Sequence, residues 1–296
     1  MTTQAALAPL ARDYLNMLRL ARWTQRLPLA WQYRALARAA ESRSPYRHSA
    51  DRYARYAQRL GLADAAPSWR NALRNQGLFF ANLSRFRADA ARLDALVCRR
   101  DPAWDELKAE PGGALVLTFH HEFHHLLFVL LGRAGRKLRV IAAPEENSPL
   151  APWLLPHIHR QHRDCAAHFR GGDYLFLDGP PQRDAMAVTR AFAAGETLLS
   201  LHDFSAGAMR SEVISLFGQR FAAPSGVLEI AMRLEKPIYF AALIWSWRDF
   251  GYHAKTMRLT PSAEAPLAAY ALAMESLLQD FPAAWNGWQW LDDLGL

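Results

Sequence analysis

Four of the chain's eleven histidines fall within six residues, in the run Phe119-His120-His121-Glu122-Phe123-His124-His125. A neutral imidazole near pH 7 can take a proton from a hydroxyl and give it back later in the same reaction. His120 suits that task as a general base in the attack of a hydroxyl on an acyl carbonyl, because it leads the cluster where the apolar run ALVLT ends. A second chemistry is metal binding. His121, His124 and His125 have an H-x-x-H-H spacing, and Glu122 with the downstream His157, His159 and His162 could complete a ligand set. A third reading makes them polar residues around a helix start, satisfied by backbone groups. If that helix begins at about His121, His120 and His124 share one face, as do His121 and His125.

Such a cluster needs a scaffold to hold it. Pro111-Gly112-Gly113 reads as a turn, and ALVLTF (114–119) after it is a short continuous apolar run, the pattern of a strand buried on both faces. Four similar runs follow: LRVIAA (138–143), YLFLD (174–178), TLLSLHDF (197–204) and PIYFAALIW (237–245). Between them lie helical stretches, HLLFVLLGRAG, RDAMAVTRAFAAG and SGVLEIAMRLE. Strand and helix in alternation predict an α/β fold with a central, mostly parallel sheet flanked by helices. Catalytic groups in such sheets collect beyond the carboxyl ends of the strands, which is where the histidines fall. Residues 6–60 read as helices, with a break over Asp64–Ser68 and a further helical stretch from Trp69 to about Leu96. The expected organisation is a basic helical N-terminal region, 1–105, packed on an α/β domain, 106–296.

Composition narrows the class. With 296 residues, 51% hydrophobic and 21% charged, the chain can bury a large core, and disorder, collagen and coiled coil are excluded as descriptions of the whole. Two cysteines, Cys98 and Cys165, with no C-x-x-C, exclude a disulfide scaffold and a thiolate zinc ribbon and point to a reducing, cytoplasmic setting. The net charge of +7 is unevenly spread: residues 1–100 carry 18 arginines, no lysine and six acids, a balance of +12, and the remainder is at −5. Such a lobe attracts phosphate or anionic surfaces. No apolar run reaches the roughly 18 residues needed to cross a bilayer. Arg12, Asp13, Arg19 and Arg22 break the apolar core that a signal peptide would need. Membrane contact, if made, is expected at the surface. Nucleic acid is not an expected partner, since the arginines are not interleaved with a recognised motif.

The segment GALVLTFHHEFHHLLFVLLGRAG resembles the first motif of the lipid A biosynthesis (late) acyltransferases, members of the lysophospholipid acyltransferase superfamily, in which a strand runs into His-x4-Asp/Glu. His120 occupies the histidine position. The block AFAAGETLLSLHDFSAGAMRSEVISLFGQRFAAPSGVLEIAMRLEKPIYFAAL and the closing FPAAWNGWQWL also resemble the family in order and spacing, so the likeness covers about residues 70–290.

The resemblance implies transfer of an acyl chain from an acyl-carrier-protein or coenzyme A thioester to a hydroxyl of a lipid or glycolipid, at the inner face of the cell membrane. His120 would be the base, and no metal or redox cofactor would be required. Arg210, Ser205 and Ser211 would bind the acceptor's phosphate or the donor's phosphopantetheine end. The chain departs from the family at one position: the fifth residue after His120 is His125, where the family has a carboxylate that orients the imidazole and stabilises its cation. His125 can supply the hydrogen bond without the charge. Glu122 is the nearest acid, and Asp203, at the end of TLLSLHDF, is the next. The acceptor need not be lipid A. The rival expectations are a metal-dependent enzyme using the His120–His125 cluster and an inactive homologue that binds an acyl carrier or lipid.

Overall fold

A computed structural model describes residues 3–62, 65–85, 90–144, 146, 150–203, 210–259 and 266–290. The N-terminal third is helical: α1 (Thr3–Thr24), α2 (Leu29–Arg43), α3 (Ala50–Arg59), α4 (Ala66–Arg85) and α5 (Ala90–Asp94). A short strand, β1 (Val97–Arg100), and α6 (Pro102–Ala109) lead into the alternating part. There β2 (Leu115–Thr118), α7 (His124–Arg133), β3 (Leu138–Ala142), α8 (Ala151–Ala166), β4 (Asp173–Phe176), α9 (Pro181–Ala193) and β5 (Thr197–Leu201) follow in turn. A hairpin, β6 (Ser211–Leu216) and β7 (Gln219–Pro224), precedes α10 (Gly226–Arg233), β8 (Ile238–Ser246), β9 (Gly251–Arg258) and α11 (Pro266–Asp280). Two 3₁₀ turns, Pro282–Ala284 and Gly287–Trp290, close the described chain.

Among the described residues the main sheet has seven strands in the order β1-β9-β8-β2-β5-β3-β4. The strands β8, β2, β5, β3 and β4 run parallel and correspond to the five apolar runs of the sequence. β2 is buried along its whole length, as its unbroken apolar pattern requires. β9 returns antiparallel to β8, and β1 lies parallel to β9 at the edge. Neither β1 nor β9 has a continuous apolar run, so periodicity did not reveal them. β1 also precedes the expected boundary at residue 105, although it belongs to the sheet.

Two cores sit on opposite faces. On one, α7 and Cys165 of α8 pack with Met17 and Leu18 of α1, Tyr33 and Leu36 of α2 and Phe80 of α4. On the other, residues of α9, α10 and α11 pack with Tyr53 and Tyr56 of α3. The crossovers from β2 to β3 and from β3 to β4 cover the first face, and those from β4 to β5 and from β5 to β8 cover the second. The chain therefore reverses its winding between the neighbouring strands β2 and β5. Their carboxyl ends flank the crevice where such folds bind ligands. The helical N-terminal region contributes to both cores and is packed onto the sheet rather than standing apart.

Candidate active site

β2 and β5 are in register, with Thr118 paired to Leu201, and the ladder continues through the His202 N–H to the Thr118 carbonyl at 2.8 Å. His120 and Asp203 each lie two residues beyond that pair, so matched register brings them together. Asp203 Oδ1 is 2.7 Å from His120 Nδ1, and Oδ2 accepts the His120 backbone N–H at 2.9 Å. A third donor comes from the chain's other end: Trp285 Nε1 donates to Asp203 Oδ2 at 2.9 Å.

The Asp203 side chain is fully buried, whereas that of His120 is 24% exposed. The ring is thus held from behind and reachable from in front. Burial by itself would raise the Asp203 pKa, but the His120 charge and the three hydrogen bonds outweigh it and hold the carboxyl below its usual range. Asp203 is an anion at neutral pH. It supplies the charge that His125 cannot.

The helix after the cluster starts at His124, not at His121. Backbone groups of the intervening residues are committed elsewhere: Asn286 N–H donates to the His120 carbonyl at 2.7 Å, Glu122 N–H donates to the Ala284 carbonyl at 2.8 Å, and His121 bridges Trp285 antiparallel. The segment around Trp285 is therefore a short extra strand laid over the histidine loop, and it delivers the indole to Asp203. Its own position is held by Tyr56 Oη donating to the Pro282 carbonyl at 3.1 Å and by Gln76 Nε2 donating to Asn286 Oδ1 at 2.8 Å.

The remaining members of the cluster have other partners. Glu122 accepts from Asn75 Nδ2 and from the Trp245 backbone N–H, both at 2.8 Å. Trp247 Nε1 donates to Asn75 Oδ1 at 3.2 Å, which fixes the orientation of that amide. Burial pushes the Glu122 carboxyl well above its usual range, against the pull of the Trp245 N–H. Glu122 thus ties α4 and β8 to the loop and is not the partner of His120. His125 is not that partner either, for its Nε2 lies 2.6 Å from Gln161 Nε2 on α8.

His121 is buried against Phe119, ring centroids 5.3 Å apart, so it does not share a face with His125. His124 does approach His120, at 5.2 Å between centroids. Burial, partly offset by the Asp203 charge, pushes His121 down to about 3, and burial with neighbouring imidazoles holds His124 and His125 well below their ordinary value. Burial thus favours the neutral form of the other three imidazoles of the loop.

The metal reading of this cluster does not fit the geometry. Among the described residues, the group whose donor atoms converge consists of Cys98, Asp249 and His253, not the histidines of the loop. His159 is 3.9 Å from Glu146, and His162 stacks on Tyr174.

The expected substrate-binding residues are placed differently. Arg210 is exposed and donates to Glu229 at 2.9 Å, and Ser211 opens the exposed strand β6. The opposite end of the hairpin approaches the site, because Phe217 packs on Trp285 with centroids 5.6 Å apart. Ser211 lies roughly 17 Å along the strand from that tip. No hydrogen bond among the described residues joins Arg210 or Ser211 to His120 or Asp203. Ser205 lies outside the described residues.

Trp285 is the member of the candidate site that sequence reasoning missed. The only signal was its place in the closing FPAAW block. Trp285→Phe keeps most of the buried volume and removes the indole donor. It is expected to lower turnover by roughly tenfold with a smaller change in KM, the size of one lost hydrogen bond to a charged group. Steady-state kinetics with an unchanged circular dichroism spectrum would check this.

No protein-family model matches the chain, and comparison with curated proteins finds no match.

Proposed function

We propose that the chain is an acyltransferase in which His120 is the general base and Asp203 its orienting anion. The observation that carries this reading is the 2.7 Å contact between His120 Nδ1 and a fully buried, triply bonded Asp203 at the reversal point of the sheet. With Nδ1 facing Asp203, the nitrogen that takes up the proton is Nε2.

The acceptor hydroxyl gives its proton to Nε2 as its oxygen attacks the thioester carbonyl. The tetrahedral intermediate then collapses, the C–S bond breaks, and the imidazolium gives its proton to the departing sulfur, which leaves as the thiol and restores the neutral base. The products are an oxygen ester and a free thiol, with no net change of charge. Asp203 stabilises the imidazolium between the two steps. The donor is an acyl-carrier-protein or coenzyme A thioester, and the acceptor is a lipid or glycolipid hydroxyl.

The basic lobe supports action at an anionic surface. No described helix is long and apolar enough to cross a membrane. The corner between α1 and α2 instead presents Trp23 at 79%, Leu27 at 41% and Trp31 at 66% exposure, with Arg22, Arg26 and Arg34 exposed around them. Indole rings at headgroup depth combined with arginines over anionic lipid make a peripheral anchor. Of the tryptophans late in the chain, Trp245, Trp285 and Trp288 are core and do not serve this purpose. Trp23→Ser with Trp31→Ser is expected to reduce sedimentation with anionic vesicles at least about tenfold. It should leave activity on a water-soluble acceptor unchanged, and salt should weaken the wild-type interaction.

Acyl transfer itself is tested by intact-mass detection of products when the protein is given a panel of acyl-carrier thioesters and extracted lipids. A product whose mass rises by one acyl group supports the reading. Thioester hydrolysis alone, or binding without turnover, would favour a hydrolase or a binding protein.

A further inference from the structure

The geometry points to a divalent transition-metal site at the edge of the sheet, formed by the Cys98 thiolate, the Asp249 carboxylate and the His253 imidazole. One donor atom from each lies within 4.8 Å of the others. The three come from separate places in the fold: the edge strand β1, the turn between β8 and β9, and β9 itself.

Two backbone features bring them together. The pairing of β1 with β9 slips at Cys98, since Val97 faces Tyr252 and Arg99 faces His253, so Cys98 is the extra residue of a bulge. A bulge re-aims a side chain out of the regular alternation. Here Cys98 Sγ also reaches the Tyr252 carbonyl, at 3.4 Å. Gly251 permits the approach, because a Cβ at that position would stand 2.8 Å from Cys98 Sγ and 2.7 Å from the Leu96 carbonyl oxygen.

The carboxylate is positioned with equal care. Ser246 Oγ donates to Asp249 Oδ2 at 3.0 Å and accepts the Asp249 N–H at 3.1 Å, and Phe250 takes a positive φ of 49° to turn the chain back. His253 Nε2 lies 2.7 Å from Asp249 Oδ2. Arg99 also faces Asp249, but at 3.7 Å and with its own side chain 67% exposed, so a cation can displace it at little cost.

A sulfur, a nitrogen and an oxygen donor select a borderline-soft ion such as zinc, cobalt or nickel over calcium or magnesium. Three protein ligands leave a fourth position open, and Cys98 is exposed, so water or an external ligand can fill it. His253 also lies 6.5 Å, centroid to centroid, from Phe281, which leads into the segment that carries Trp285. A bound ion would pin β1 to β9 at the side of that segment. This site does not depend on the acyl-transfer reading.

The test uses the full chain, stripped with a chelator and titrated with Co²⁺. The expected result is an intense thiolate-to-cobalt charge-transfer absorption that saturates near one equivalent and is abolished by one equivalent of Zn²⁺. Cys98→Ser should remove the band, and His253→Ala or Asp249→Asn should weaken binding at least about tenfold. Asp249→Asn changes a turn side chain and provides a variant that keeps the sheet core intact. Absence of the band in the wild-type protein, or its survival in Cys98→Ser, would overturn the proposal.

Discussion

Asp203→Asn is expected to lower kcat by up to about 10⁴-fold while leaving KM within a few-fold, because the amide keeps the shape but loses the charge and can present the wrong hydrogen-bonding partner to Nδ1. His120→Ala removes the base itself, and a loss of roughly 10²–10⁴ is expected. The double variant should be little worse than the poorer single one, because two groups acting as a unit do not add. Steady-state acyl transfer measured on all three proteins decides the matter. Activity within a few-fold of wild type in Asp203→Asn would remove the dyad from the mechanism. The matching amide substitution Glu122→Gln, at a carboxyl bonded to Asn75 and Trp245 and not to His120, should have a far smaller effect on kcat.

A second large effect is acid lability. Four buried histidines are held below their ordinary pKa, chiefly by burial: His121 at about 3, His202 at about 4, and His124 and His125 well below 6.5. Once unfolded, each takes a proton below about pH 6.5. Between that pH and the folded values the unfolded chain therefore binds more protons, and stability is lost as pH falls. Each histidine contributes up to about 1.4 kcal/mol per pH unit across its window, and Glu122, whose pKa is raised by burial, acts in the opposite direction and offsets part of that loss.

Asp203 adds to the loss only at lower pH. Its folded pKa is depressed, so its contribution is full above about 3.9 and disappears as pH falls through the folded value. Urea unfolding at closely spaced pH values between 7 and 5 should show the midpoint falling steeply. A pH-independent midpoint over that range would mean that these imidazoles are not buried in neutral form. His125→Phe should reduce the slope by about one proton, in so far as the ring packs beside Phe79 and Phe128.

The fold was largely legible from apolar patterning. Continuous apolar runs such as ALVLTF and PIYFAALIW are the pattern of strands in a sheet interior, and all five runs became strands, β8, β2, β5 and β3 inside the sheet and β4 at its edge. The strands β1 and β9 were invisible for the same reason. VCRR in β1 is exposed over three of its four residues, and β9 mixes polar and apolar positions. The hairpin was marked only by its turn, where Phe217 and Gly218 both take positive φ. Such strands are placed by backbone pairing, and a pattern of side chains does not record pairing.

The candidate site divides along the same line. The chain by itself determined that His120 stands at the end of a buried strand and that Asp203 ends another, because local burial and period are written in each segment. Which acid would meet the imidazole was decided only by tertiary structure. Glu122 and His125 are near neighbours in the chain, yet the pairing of residues 120–122 with 284–286 draws the loop flat and delays the helix, so they turn to Asn75 and Gln161. Asp203, 83 residues away, reaches the ring because β2 and β5 lie side by side in register, and Trp285 arrives from the far end of the chain to hold it there. Sequence proximity sets which groups can be close. The hydrogen bonds that the folded backbone leaves unclaimed set which ones are.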